Sequence, residues 1–285
     1  MSSLESDSIL LHELIAYGNN KLDTSSLPNS KKEIEWFLED QFSISFYDIK
    51  FNKNHKLYKK DINLFLKFIK RRLTGEPFQY IINNANFYGY DFFVNKKTLI
   101  PRPETELIIS VAKQYNTFNK ALDIGTGSGN IAITLAMENI ANEIDAIDIS
   151  SEAINVAINN AKTYSLNNVE FYQHDFLSKP IKCKYDLIVS NPPYISIDDY
   201  QKLDNHIKDY EPRYALTDFH NGLSFYNFFA KNLGKILKSG GKIILEIGYE
   251  ETKPDIEKLF LKEGFSCIWH KDLNNNYRAA EFFFE

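Results

Sequence analysis

At 285 residues, with 44% hydrophobic and 25% charged residues, the chain has the composition of an ordinary globular protein and a length that suggests about two domains. Its net charge of −5 argues against a protein that coats DNA or RNA, though not against a local basic patch. Two cysteines, Cys183 and Cys267, and six scattered histidines lack metal-ligand spacing, so no metal site is expected and a reducing cytoplasm fits. No basic-then-apolar leader opens the sequence, and no apolar run approaches the ~18–20 residues of a membrane span.

Residues 1 to about 84 read as a small helical domain. Ile9, Leu10, Leu11, Leu14 and Ile15 form one apolar face. Ser30 is the candidate cap of a helix carrying Ile34, Phe37, Leu38 and Phe42, and Asp61 the candidate cap of one carrying Ile62, Phe65, Leu66, Ile69 and Leu73. Lys67, Lys70, Arg71 and Arg72 make the last helix basic toward its C-terminus, which reads as a solvated face complementing the helix dipole. Gly75-Glu76-Pro77 stops it.

A second domain spans residues 85–285. Phe87 to Val94, aromatic around Gly89, reads as a hairpin joining the two domains. In Leu99-Ile100-Pro101-Arg102-Pro103-Glu104-Thr105-Glu106, the prolines stiffen the chain. The acids suit either a plain helix start or the wall of a ligand site. From residue 119 strands and helices alternate. Strands are predicted at Ala121–Ile124, Glu143–Ile147, Val169–Tyr172, Tyr185–Val189, Lys242–Ile247, Phe265–Trp269 and Ala279–Phe284. Helices are predicted at Ile131–Met137, Ala153–Tyr164 with a cap near Ser150 or Ser151, Leu223–Leu237 and Ile256–Lys262. The alternation predicts an α/β fold with a doubly wound, mainly parallel sheet.

Two stretches carry chemistry. Gly125-Thr126-Gly127-Ser128-Gly129 follows the first strand, and its glycines let backbone approach a ligand closely. The third glycine comes one residue too early for a dinucleotide fingerprint, and no Gly-Lys-Ser/Thr completes a phosphate loop. Asp148 lies about 23 residues on, at the end of the second strand, where an acid accepts both ribose hydroxyls; the alternative is a helix-capping Asp. Phe176, after Asp175, either borders an adenine ring or simply packs. A nucleoside without a phosphate site points to S-adenosylmethionine (SAM), with S-adenosylhomocysteine as product. The second stretch is Asn191-Pro192-Pro193-Tyr194, after the Tyr185–Val189 strand. The prolines confine the backbone, and an Asn oxygen with a backbone carbonyl can take both N–H bonds of a planar NH2 group while the Tyr194 ring packs on its face. The alternative is a proline-rich turn with a buried tyrosine.

Together these segments resemble the class I SAM-dependent methyltransferases, with Asn-Pro-Pro-Tyr similar to the fourth motif of amino-methyltransferases. The order of Arg71-Arg72-Leu73-Thr74-Gly75-Glu76-Pro77, the Leu99–Glu106 segment and Glu211-Pro212-Arg213 is similar to that of the bacterial release factor glutamine methyltransferases, the HemK-type enzymes. The resemblance spans roughly residues 65 to 285. It implies methylation of the side-chain nitrogen (N5) of the Gly-Gly-Gln glutamine of class I peptide chain release factors, an event of translation termination. It further implies a helical domain that helps hold the release factor. Gly125, Thr126, Gly127, Ser128, Gly129, Asp148, Phe176 and Asn191 are then expected at the SAM site. Asn191, Pro192, Pro193 and Tyr194 are expected to receive the glutamine, with Asn191, Pro192 and Tyr194 as the catalytic set. A monomer without stable nucleic-acid or membrane binding is expected. Rival readings are an adenine methyltransferase, which would grip a flipped base in the same way, a SAM-binding module without catalysis, and, more distantly, an NAD-dependent oxidoreductase.

Overall fold

The computed structural model describes residues 7–23, 29–52 and 54–285. The described residues fall into two units, one within Met1–Asn83 together with Asn205–Tyr210, the other Asn84–Asp204 with Glu211–Glu285.

The first unit runs β1 (Ser8–Leu10), α1 (Leu11–Asp23), α2 (Ser30–Phe42), α3 (Phe46–Phe51), β2 (Lys56–Tyr58), α4 (Lys59–Leu73) and α5 (Phe78–Ile82). Its core is built from helical repeats: Ile62, Phe65 and Ile69 on α4 meet Leu14 and Leu22 on α1 and Ile34, Phe37 and Leu38 on α2, with Phe37 stacked on Phe68 at 4.2 Å. Four expectations need correction. Ile9 and Leu10 are not on a helix: β1 pairs antiparallel with β2, Ile9 opposite Leu57. Short apolar runs suit either state, and a distant partner decides. Asp61 lies inside the first turn of α4, whose N-cap is Tyr58, and α2 takes Asn29, not Ser30, as its N-cap. The basic end of α4 is not a solvated face throughout. Arg72 is buried in a two-bond ion pair with Glu33 (2.6 and 3.1 Å), and Arg71 grips Glu76 (2.7 and 2.6 Å) while donating to the carbonyls of Tyr80 and Ile81.

In the second unit β3 (Asn84–Phe87) and β4 (Tyr90–Phe93) form the hairpin, turned by Tyr88 and Gly89, both at positive φ. A 3-10 turn (Pro103–Thr105) leads into α6 (Glu106–Ala112), β5 (Phe118–Ile124), α7 (Asn130–Met137), β6 (Ala141–Asp148), α8 (Ser151–Thr163), β7 (Val169–Gln173) and β8 (Tyr185–Ser190). Three short helices follow, α9 (Ile197–Lys202), α10 (Asn205–Lys208, which belongs to the first unit) and α11 (Arg213–Leu216). The chain ends with α12 (Ser224–Ile236), β9 (Leu237–Glu246), α13 (Lys253–Lys262), β10 (Ser266–Lys271) and β11 (Tyr277–Phe283). The hairpin docks on α8: the Phe93 N–H donates to Asn160 Oδ1 and the Asp91 N–H to the Tyr164 hydroxyl, each at 2.8 Å.

One seven-stranded sheet results, in the order β10-β11-β9-β8-β5-β6-β7. Pairings from β9 to β7 are parallel, and the β9–β11 and β11–β10 pairings antiparallel. Its inner strands are buried on both faces, while the edge strands β7 and β10 are not. Ala121, Leu187 and Val189 face the core shared with α6 and α7, while Leu122 and Ile188 face that of α12 and α13. The chain walks outward from β5 to β7, then crosses back to β8 on the other side of β5. The switch point therefore lies between β5 and β8, where open α/β sheets hold ligands. The register sets Ile124 beside Ser190, and the Ser190 hydroxyl donates to the Ile124 carbonyl at 2.6 Å. The next residues on the two strands are Gly125 and Asn191. Among the described residues no helix is long and apolar enough to cross a membrane.

Candidate active site

At the switch point a cleft of ≈ 790 Å³, its solvent mouth included, opens between the ends of β5, β6 and β8. Gly125, Gly127, Asp148, Phe176, Asn191 and Pro193 are on its wall. Segments far apart in the sequence thus meet around one space.

The glycine turn is shaped from within. The Gly125 and Thr126 N–H groups both donate to the Ile147 carbonyl (2.8 and 2.9 Å), bending the chain off β5 onto the end of β6. Gly125 and Gly127 have φ of +78° and +55°, and a Cβ on Gly125 would meet nothing within 4 Å. The turn therefore presents bare backbone to the cleft. Gly129 does a different job: a Cβ there would press on Ile133 at 2.9 Å and on Ala157 at 3.1 Å, so its bareness lets α8 close on α7. Thr126 and Ser128 are buried behind the turn, and Asn160 Nδ2 donates to the Ser128 carbonyl at 2.8 Å. Thr126, Ser128 and Gly129 support the turn; Gly125 and Gly127 face the cleft.

Asp148 closes β6. The Gly127 N–H donates to its Oδ2 and the Ser150 N–H to its Oδ1, both at 2.9 Å. The cap of α8 is Ser150, whose Oγ accepts the Ala153 N–H at 3.2 Å. Burial raises the Asp148 carboxyl pKa, against the Ser150 and Gly127 N–H groups. Each of its oxygens keeps acceptor capacity beyond the one N–H it takes. Phe176 packs edge-on against Phe228 and Phe229 (5.5 and 5.7 Å between centroids) and also borders the cleft. Beneath the turn, Asp123 is fully buried, and burial pushes its carboxyl up to about 7, opposed by the nearby Thr126 hydroxyl and Ala132 N–H. A nucleoside with a charged tail suits this wall: apolar Ile149, Phe176 and Leu177 for a base, Asp148 for ribose hydroxyls, and open backbone at Gly125 and Gly127.

The Asn-Pro-Pro-Tyr loop is divided. Asn191 and Pro193 reach the cleft, Pro192 is buried, and Tyr194 packs away from that wall against Tyr249 (6.2 Å between centroids). Gly248 lies directly under the Tyr194 ring, where a Cβ would fall 2.1 Å from Cδ2. Asn191 Nδ2 donates to Thr105 Oγ1 at 3.0 Å, which leaves Oδ1 as the acceptor of that amide. The Thr105 hydroxyl donates to Glu246 Oε2 at 2.5 Å, and the Tyr194 hydroxyl to Glu246 Oε1 at 3.4 Å.

In the Leu99–Glu106 segment the acids belong to the helix start and do not line the cleft. Pro103–Thr105 starts a helix, and Leu99 lies on the cleft. Arg102 pairs with Glu211, which also accepts the Ile100 N–H at 3.2 Å, so two of the sequence segments interlock. Sequence reading missed Tyr214, Ala215 and Phe225 on the cleft wall, and Thr105, Glu246 and Gly248 behind Asn191 and Tyr194. Tyr214 adjoins the Glu211-Pro212-Arg213 segment, which was signal enough to include it; its hydroxyl donates to the Lys97 carbonyl at 3.1 Å.

A sheet of this order, with its cleft at the β5–β8 switch point, is the class I methyltransferase fold. A solved structure of a methyltransferase from Pyrococcus furiosus superposes with a TM-score of 0.52 at 19% identity, over 80% of this chain and 98% of its own, and supports the fold alone. Two family profiles match, "PrmC N-terminal domain" over residues 13–82 and "Methyltransferase small domain" over residues 103–207. The release factor glutamine methyltransferase of Fusobacterium nucleatum is 36% identical over 265 residues, 90% of this chain and 74% of the relative. That of Bacillus subtilis is 40% identical over 226 residues, covering 75% and 78%. A bifunctional methyltransferase of Rickettsia bellii is 33% identical over 95% of this chain, which spans 54% of that longer protein. The chain belongs to the release factor glutamine methyltransferase family, and it is an enzyme of the methyltransferase class.

Proposed function

We propose that the protein transfers a methyl group from SAM to the N5 side-chain nitrogen of the Gly-Gly-Gln glutamine of class I release factors. The observation that carries this reading is the Asn191 amide, with Nδ2 committed to Thr105 and Oδ1 left as acceptor, on a residue that lines the same cleft as Gly125 and Gly127. Gly125, Gly127, Asp148 and Phe176 hold SAM, with Asp148 on the ribose; Thr126, Ser128 and Gly129 keep the turn in shape. When bound, SAM supplies an electrophilic methyl group on a positively charged sulfur.

A carboxamide nitrogen is a poor nucleophile because its lone pair is delocalised, so the protein contributes chiefly orientation and electrostatics. Asn191 Oδ1 and the Pro192 carbonyl accept the two N–H bonds of the glutamine, turning the nitrogen face toward the methyl and favouring positive charge on nitrogen. Pro193 stiffens the loop, and the Tyr194 ring, which leaves the cofactor cleft for Tyr249, meets the amide plane from outside that cleft. No general base is assigned: Asn191 cannot serve as one, and an N-methylated amide cation is acidic enough to lose its proton readily. Mass spectrometry of a release factor incubated with the enzyme and SAM tests the reading. The methyl is expected on the Gly-Gly-Gln glutamine, and an unmodified glutamine contradicts it.

The helical unit, matched by its own family profile, is proposed to dock the release factor. Adding release factor should slow amide exchange within residues 59–73; protection confined to residues 84–204 would move docking elsewhere.

A further inference from the structure

An Asn side chain can grip an NH2 group only if its oxygen, not its own NH2, faces that group. The two flips have the same shape, so something must choose between them. In this protein the choice is made by proton count. The Thr105 hydroxyl has a single proton, and it goes to Glu246 Oε2 at 2.5 Å. Thr105 can then only accept from its other neighbour, so Asn191 must offer Nδ2, at 3.0 Å. Asn191 Oδ1 is thereby released for the acceptor. The second Glu246 oxygen takes the Tyr194 hydroxyl at 3.4 Å, so one carboxylate holds two members of the Asn-Pro-Pro-Tyr loop.

We propose that Glu246 is a positioning residue for methyl transfer, acting through Thr105 to fix the flip of the Asn191 amide. This rests on the reading of Asn191 as the anchor of the acceptor NH2. Glu246 is the last residue of β9 and is 1% exposed. The groups that face it are Glu104 and Thr105 from the turn before α6, Tyr194 from the loop after β8, Tyr226 from α12, whose hydroxyl donates to the Glu246 carbonyl at 2.8 Å, and Arg278 from β11. Burial pushes the carboxyl up to about 7, opposed by the Thr105 hydroxyl and Arg278 and helped by Glu104. Above that value Glu246 is an acceptor and the relay runs from Asn191 to Thr105 to Glu246. Below it the carboxyl becomes a donor. Thr105 is then free to donate to Asn191 Oδ1, the amide turns, and NH2 meets NH2 at the acceptor. The turnover number should therefore fall with acid around pH 7, with little change in SAM affinity.

The test compares wild type, Thr105→Val, Thr105→Ser and Glu246→Gln, all close in shape to the parent, with folding checked by thermal melting. On release factor, Thr105→Val should lower kcat about 10- to 100-fold, in line with the cost of misorientation. KM should move little, and Thr105→Ser should restore most of the rate. Glu246→Gln should lose the acid limb near pH 7. A wild-type kcat in Thr105→Val, or an acid limb that survives in Glu246→Gln, overturns the proposal. A second readout needs no acceptor: the side-chain NH2 signals of Asn191 in ¹⁵N-labelled protein, assigned by their loss in Asn191→Ala. They should shift with a midpoint near pH 7 in wild type and not in Glu246→Gln. No midpoint in wild type, or one that persists in the variant, refutes the relay whatever the acceptor is. Failure of wild type to methylate glutamine instead refutes the reading of the acceptor.

Discussion

The two walls of the cleft are built on opposite plans. The glycine turn is made of backbone, and its bonds are short in sequence: Gly127 reaches Asp148 over 21 residues, and Ser150 reaches Asp148 over two. The Asn191 side is made of side chains from distant segments. Asn191 reaches Thr105 across 86 residues, Thr105 reaches Glu246 across 141, and Tyr194 reaches Glu246 across 52. A wall of backbone tolerates variation in side chains, Asp148 excepted, provided its dihedral angles are kept. A wall of relayed hydrogen bonds fails at any member, because each group's donor or acceptor role is set by the next. The first plan suits a cofactor bound the same way each time. The second suits a grip on a weak nucleophile, where direction matters more than contact.

Breaking the relay side should give the largest effect, and on rate. Asn191→Ala leaves an acceptor N–H unpaired and the nitrogen free to turn. A loss of about 10²-fold in kcat is expected, with SAM affinity by calorimetry nearly unchanged. A matching loss of SAM affinity would merge the two walls into one. Breaking the backbone side should act on affinity. Asp148→Ala removes hydrogen bonds to a carboxylate worth about 1.5–3 kcal/mol, so SAM should bind roughly ten- to a hundredfold more weakly, with kcat at saturating SAM much less affected. Unchanged affinity removes Asp148 from the site.

The smallest effects sharpen the contrast through two alanines. Gly127→Ala meets only the Gly125 carbonyl oxygen, at 4.0 Å, but must hold φ near +55°, a strain of about 1–2 kcal/mol. Gly248→Ala drives a methyl into the Tyr194 ring, an overpacking of about 1–3 kcal/mol. Binding should weaken in the first and turnover in the second. The same symptom in both would mean that the walls are not independent.

The same division governs what the sequence told. Gly125 to Gly129 and Asp148 announce themselves because glycine and an acid at those places answer local demands. The strands from Phe118 onward follow from alternation, and the Tyr88-Gly89 turn from its aromatic flanks. Ile9 and Leu10 were misread because a three-residue strand is defined by its partner at Leu57, not by its own pattern. Arg72 gives no local sign that Glu33, 39 residues away, removes it from solvent. The helices at Ile197–Lys202, Asn205–Lys208 and Arg213–Leu216 are too short to show a period. Thr105 and Glu246 look like a helix start and a strand end; only the register of β9 beside β8 and the course of the chain into α6 bring them behind Asn191.

The most direct test of the central claim offers intact release factor and adenine-containing DNA side by side to wild type and Asn191→Ala, with SAM carrying a labelled methyl group. The account predicts label on the Gly-Gly-Gln glutamine, none on the DNA, and loss of the protein label in Asn191→Ala. Label on adenine in place of glutamine would contradict it.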